Sequence, residues 1–241
     1  MQTPFSNLPP VLKNLLIINI LVFCASLFYS HGFSGTADPV GEHLGAYYFN
    51  SPMFKPWQLI TYMFVHGGWE HIIFNMFALY SFGAIMEYQM TSPRFLGFYF
   101  ICGLGGVVLQ LVVYAFQVHA ITGSLDIASP ELQSSYLQYG QNAAIKLFSI
   151  YNSPLVGASA AVCGVLVAFG LIYPNAELMM LFIPVPIKAK YIISVYLIIE
   201  LFAGFGHANG DNVAHFAHIG GALLGFILVK LWRLQGPRNF I

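Results

Sequence analysis

Gly157-Ala158-Ser159-Ala160-Ala161-Val162-Cys163-Gly164, running on without a charge through Tyr173, is the stretch whose reading decides the fold. Residues 157–173 number 17, which is about 25 Å of helix at about 1.5 Å per residue. A bilayer core is about 30 Å thick and takes about 20 apolar residues to cross. A helix whose inner end reaches the inner interface therefore stops below the outer surface, with Ser159 near a recessed N-terminus. Backbone N–H groups there lack intrahelical partners, and a helix N-terminus favours negative charge. Those properties suit an oxyanion site. Taken alone, a serine at the start of a helix is an N-cap, so the surrounding chain has to decide between cap and nucleophile.

That chain has lipid as its solvent. Of 241 residues, 58% are hydrophobic and only 7% are charged, whereas a soluble domain carries about 25% charged residues. The net charge is zero, which excludes a basic footprint for nucleic acid. Cys24, Cys102 and Cys163 each sit in an apolar run, without the paired spacing of a zinc or redox site. No cofactor and no metal are expected. The apolar stretch after Lys13 lacks a small-x-small cleavage site and reads as a first span, not a signal peptide. The halves show no repeat of the kind transporters carry.

Six segments have the length and apolarity of spans: 11–29, 69–88, 95–118, 157–173, 187–205 and 213–232. The expected fold is an all-α membrane protein, a bundle of six transmembrane helices forming one domain over 1–241. With a cytoplasmic N-terminus, the inner side holds Lys13, Arg94, Lys188, Lys190, Lys230, Arg233 and Arg238. The outer side then holds only Lys55 and Lys146. The positive-inside rule places both termini in the cytoplasm. The first outer loop, 31–68, is rich in Pro and aromatic residues and suits the membrane interface. The second, 119–154, is polar and long for a connection; an ectodomain segment, a lid and disorder all fit it. A bacterial inner membrane fits a chain with no transit peptide.

Polar groups inside spans mark functional sites. Here they are His71, Asn75, Ser159, Glu200, His215 and His218. His71 and Asn75, four apart, share a helix face. Gly221 and Gly225 form a GxxxG pair that lets another helix approach closely, and 157–164 offers small residues to meet it. On an ideal helix Ala160 and Gly164 lie roughly 100–140° from Ser159, which puts the serine at the edge of that contact. Glu200 is open to several readings: a gate, a partner of His207 or His215, or a buried protonated acid. His215 and His218 have a spacing that suits a metal, but the HExxH pattern of zincins is absent.

The run around Ser159 resembles the nucleophile motif of the rhomboid family of intramembrane serine proteases. Ala217-His218-Ile219-Gly220-Gly221, with Gly225 beyond, resembles that family's catalytic-histidine motif. His71-Ile72-Ile73-Phe74-Asn75 resembles its HxxxN motif. Trp57, His66 and Glu87 also stand at family-like spacings. The resemblance covers 57–225, with the three motifs in family order on the second, fourth and sixth spans. Two positions depart from it. Ala160 replaces the Gly that usually follows the serine, which brings a methyl close to the expected oxyanion region and can lower activity. Trp57-Gln58 replaces a Trp-Arg pair, which bears on loop anchoring.

The resemblance implies a serine endopeptidase that cleaves transmembrane segments of other membrane proteins within the bilayer. Ser159 would be the nucleophile and His218 its general base, with no third acidic residue. His71, Asn75 and the Ser159 amide would hold the oxyanion. His66 and Gln58 would line a water route from the outer face. The other class that fits is a weak or inactive rhomboid-like protein that binds client transmembrane helices.

Overall fold

The computed structural model of the chain describes residues 8–30, 38–180, 183–206 and 214–236. The apolar segments read from the sequence are largely helical. These helices are α1 (Pro10–Tyr29), α4 (Trp69–Met90), α5 (Ser92–Thr122), α8 (Ser159–Ile172), α9 (Ala189–Gly206) and α10 (His215–Leu231). Among the described residues, α1 and α5 are long and apolar enough to cross a membrane by length and composition, and α8 and α10 are shorter apolar helices. α8 has 14 residues, about 21 Å, shorter even than the sequence predicts. α5 runs past its expected end to Thr122 and stops at Gly123, which is left-handed at φ 74° and donates its N–H to the His119 carbonyl.

The molecule is apolar outside and partly polar inside. Leu21, Phe74, Phe116 and Phe202 are among the large side chains left exposed, while Asn19, Asn75, Glu87 and Glu200 are buried. Water would penalise that outer surface; lipid does not. The one-sided apolar stripe of a water-soluble helix is accordingly absent from α1, whose exposed face holds Ile17, Ile20 and Leu21.

Glu87 ties the first span to the rest. Its carboxylate accepts the Val11 and Leu12 N–H groups at 3.0 and 2.7 Å and the Ser92 hydroxyl at 2.5 Å. It thus supplies the orphan donors at the start of α1 with partners from 75 residues away, where the N-cap, Pro9, offers no side-chain bond.

The outer segments depart from the sequence reading. The stretch 119–154 is neither disordered nor bare loop. It holds α6 (Ser134–Leu137) and α7 (Gln141–Asn152). α7 buries Ala144, Leu147, Ile150 and Tyr151. The first outer loop carries α2 (Pro39–Leu44), α3 (Gln58–Thr61) and a 3-10 turn, Tyr62–Phe64. The two segments are joined. Tyr48 meets Tyr151 edge-on at 5.2 Å and donates its hydroxyl to the Leu125 carbonyl at 2.8 Å. Ser51 donates to the Tyr151 carbonyl at 2.6 Å. Phe49, Met53, Trp57 and Ile60 of the first loop stay exposed, as suits an apolar interface.

The all-α expectation also needs correction on the other face. Glu177–Met180 (β1) and Ile183–Lys188 (β2) pair antiparallel, with Glu177 opposite Lys188. Two prolines in Ile-Pro-Val-Pro-Ile-Lys block a helix but are tolerated on an edge strand.

Three helices, not two, make the close-packed centre. Gly221 and Gly225 of α10 lie against α8: a Cβ on Gly221 would collide with the Ala160 carbonyl, and one on Gly225 would stand 2.7 Å from the Gly164 Cα. α5 closes the third side. A Cβ on Gly106 would collide with the Ala160 methyl and stand 2.7 Å from the Ala217 carbonyl. Small residues here allow backbones to touch, which fixes α8 and α10 in rotation and height.

Candidate active site

α8 begins at Ser159, so its N–H is among the four that have no intrahelical partner. The preceding residue, Ala158, is the N-cap and offers no side-chain bond. The Ser159 hydroxyl is therefore not spent on capping. It lies 2.7 Å from His218 Nε2 on α10. The GxxxG contact explains why. It runs through Ala160 and Gly164, which leaves Ser159 at its edge and faces it to the residue one turn before Gly221.

The chain reaches Ser159 through a fixed approach. Ala46 and Leu155 exchange backbone hydrogen bonds at 2.9 and 2.8 Å, and the Gly157 N–H donates to the Tyr62 carbonyl at 2.9 Å. Gly157 has φ 123°, a conformation that suits glycine. A Cβ there would stand 2.6 Å from His71 Nε2 and 3.5 Å from Ser159 Oγ. Glycine at 157 thus lets the His71 ring close over the approach to the serine.

His71 Nδ1 accepts the Gly67 N–H at 3.5 Å. In a neutral imidazole that accepts at Nδ1 the hydrogen is on Nε2, the ring nitrogen that lies beside Gly157. Asn75 is buried and donates from Nδ2 to the His71 carbonyl at 2.9 Å. A carboxamide nitrogen carries two hydrogens, so this bond leaves capacity for a second acceptor. The structure thus groups Ser159, His218 and His71, with Asn75 one turn below His71.

The His218 ring has a partner on its far side that motif reading missed. His218 Nδ1 lies 2.8 Å from Glu200 Oε2 of α9, and His215 Nδ1 lies 2.8 Å from the same oxygen. The Tyr196 hydroxyl is within hydrogen-bonding reach of this carboxylate and lies 3.2 Å from Cys163 Sγ. The side chains of Glu200, His215 and His218 are 10%, 14% and 11% exposed, so these bonds are largely shielded from water. The signal in the sequence was an acid inside an apolar helix; its contact with His218 was not among the readings of the sequence. Of the partners considered for Glu200, His215 is observed and His207 lies outside the described residues.

Glu200, His215 and His218 each offer one ligand atom, all within 4.8 Å of one another. Tetrahedral Zn²⁺ with bonds of about 2.0–2.1 Å holds its ligand atoms about 3.3 Å apart. Contacts of 2.8 Å to one oxygen fit shared hydrogens better than a shared ion.

Three expectations are revised by position. The Ala160 methyl faces Gly106 of α5 and belongs to helix packing, not to the surroundings of the Ser159 hydroxyl. Gln58 does not line a water route. It is buried, accepts the Lys55 N–H at 2.9 Å and donates to the Met53 carbonyl at 3.1 Å, so it anchors the loop that a cation was expected to hold. His66 is fully buried, and its ring meets His71 at 5.0 Å. Burial pushes its pKa down to about 3, so it is neutral near pH 7.

Comparison with known proteins identifies the family. A rhomboid domain model matches residues 53–234. RHOMBOID-like protein 12, mitochondrial, of Arabidopsis thaliana is 30% identical over 170 residues, 70% of this chain and 44% of that protein. An uncharacterized rhomboid protein, mitochondrial, of Schizosaccharomyces pombe is 25% identical over 217 residues, 79% of this chain and 55% of that protein. Rhomboid protease GluP of Bacillus subtilis is 31% identical over 170 residues, 70% of this chain and 25% of that protein. The chain thus spans about half the length, or less, of these curated relatives.

Proposed function

Because the chain belongs to the rhomboid family and is therefore an integral membrane protein, we propose that it is an intramembrane serine endopeptidase acting on transmembrane segments of other membrane proteins. The observation that carries this is the 2.7 Å contact between Ser159 Oγ and His218 Nε2 at the start of a short helix. A serine hydroxyl is a weak nucleophile and needs such a base.

His218 Nε2 takes the Ser159 proton as Oγ bonds to the scissile carbonyl carbon. The oxyanion that forms is met by the Ser159 amide, His71 Nε2–H and the Asn75 carboxamide. Its collapse breaks the C–N bond, and the Nε2 proton passes to the leaving amine. Water then attacks the acyl carbon, gives a proton to Nε2, and Ser159 regains its hydrogen as the Oγ–C bond breaks. A substrate helix must unwind locally first, because its peptide bonds are shielded by their own hydrogen bonds.

The proposed frame is one domain of six transmembrane helices, with 57–225 carrying the motifs and both termini in the cytoplasm. The first outer loop lies in the interface, and α7 roofs the outer side. Two of the relatives are named mitochondrial, which runs against the expected bacterial inner membrane, while membrane integration itself holds.

A fluorophosphonate probe tests the reading. Folded protein in detergent is expected to label on one serine, and Ser159→Ala to abolish the signal. No labelling of folded protein would overturn the proposal and favour a helix-binding role.

A further inference from the structure

The His218 ring is held from both sides, and the proposed mechanism uses only one of them. Resting on that mechanism, we infer that Glu200 is a positioning residue of the cleavage site, completing a Ser159–His218–Glu200 relay. An ionised carboxylate can only accept, so both imidazoles present Nδ1–H to Oε2. A neutral His218 with its hydrogen on Nδ1 has its lone pair on Nε2, facing Ser159. That is the tautomer a general base needs. When Nε2 takes the Ser159 proton, the imidazolium forms 2.8 Å from the carboxylate, which stays ionised throughout. The proton later leaves from Nε2 to the amine, so Nδ1–H never moves. This is the role the buried Asp plays in serine proteases with a triad, here supplied from a third helix.

Glu200 is suited to the task by its other bonds. His215 Nδ1 and the Tyr196 hydroxyl fix the carboxylate without reaching Ser159. A buried charge held by three donors remains both tolerable and oriented. His215 and His218 lie one turn apart on α10, so Glu200 also fastens α9 to α10. The alternative role is therefore a pure staple between helices, and the test must separate the two.

The experiment measures kcat and KM for a transmembrane reporter in proteoliposomes, with active sites counted by fluorophosphonate labelling. The variants are Glu200→Gln, Glu200→Ala, Glu200→Asp, His215→Ala and Ser159→Ala. Glu200→Gln and Glu200→Ala should lower kcat per labelled site by about 100-fold or more with KM little changed, and Glu200→Asp should recover at least about tenfold of it. His215→Ala, which removes one of the three donors to Glu200 but leaves the Glu200–His218 contact, should lose about tenfold or less, well short of the Glu200→Gln and Glu200→Ala losses. The inference is overturned if Glu200→Gln and Glu200→Ala both keep kcat within about threefold, or if His215→Ala loses as much as they do. Failure of the intact protein to cleave, or cleavage by Ser159→Ala, would instead sink the protease reading itself.

Discussion

At the scale of single residues, Ser159 and His218 were legible because short motifs carried them, and the 2.7 Å contact between them needs two helices at one height and rotation. Asn75 donates to the carbonyl of His71, one turn away, as their spacing on one helix face allows. Removing one oxyanion donor costs about 3–4 kcal/mol of barrier, so Asn75→Ala should slow cleavage by about 10²–10³-fold without abolishing it, measured as kcat per labelled site. Ala160 was legible as a departure, but its consequence was not. Sequence places a methyl beside the serine; packing turns it toward Gly106. Ala160→Gly is therefore expected to leave cleavage nearly unchanged and to lower stability by about 0.5–1 kcal/mol, seen as a drop in Tm. Faster cleavage by Ala160→Gly would return the methyl to the reacting centre. Glu200 illustrates the limit: periodicity says which face of a helix a residue shares, but not which other helix that face meets.

At the scale of elements, the apolar runs of the sequence became helices, of which α1 and α5 are long and apolar enough to cross a membrane by length and composition. Their ends were less legible, since helices stop at caps and glycines and not where apolarity fades. α7 was missed although Ala144, Leu147 and Tyr151 stand at helical spacing; its exposed face mixes Ile145 and Phe148 with polar residues, which blurs that pattern. The β1–β2 hairpin was missed because strands are not expected beside spans, although its prolines forbid a helix. Two predictions belong here. Gly221→Val should force α10 off α8 at an overpacking cost of about 1–3 kcal/mol and abolish fluorophosphonate labelling, while Leu223→Val, on an exposed position of the same helix, should change neither. Glu87→Ala should lower stability by about 1.5–3 kcal/mol for each charged hydrogen bond lost, read as a fall in Tm, because α1 loses the carboxylate that caps it.

At the scale of the whole molecule, polar groups gather inside and at the outer end while apolar side chains face outward, the arrangement lipid selects. Charge bias could orient the chain, but it could not show that the loop 38–68 and the stretch 119–158 interlock through Tyr48, Ser51 and Tyr151. Such pairing joins residues 100 apart in sequence and leaves no local trace. Orientation is open to direct test: Lys146→Cys should react with an impermeant maleimide from outside intact cells, and Lys13→Cys only after permeabilisation.

The central claim is that Ser159 cuts peptide bonds within the membrane, and one comparison tests it most directly. Purified protein and its Ser159→Ala variant are each placed in liposomes with a single-span reporter whose helix carries small, helix-breaking residues near its outer end. The account predicts one pair of fragments from the intact protein, cut near that outer end, and an unbroken reporter with Ser159→Ala. Equal cleavage by both proteins, or none by the folded intact protein, would contradict it.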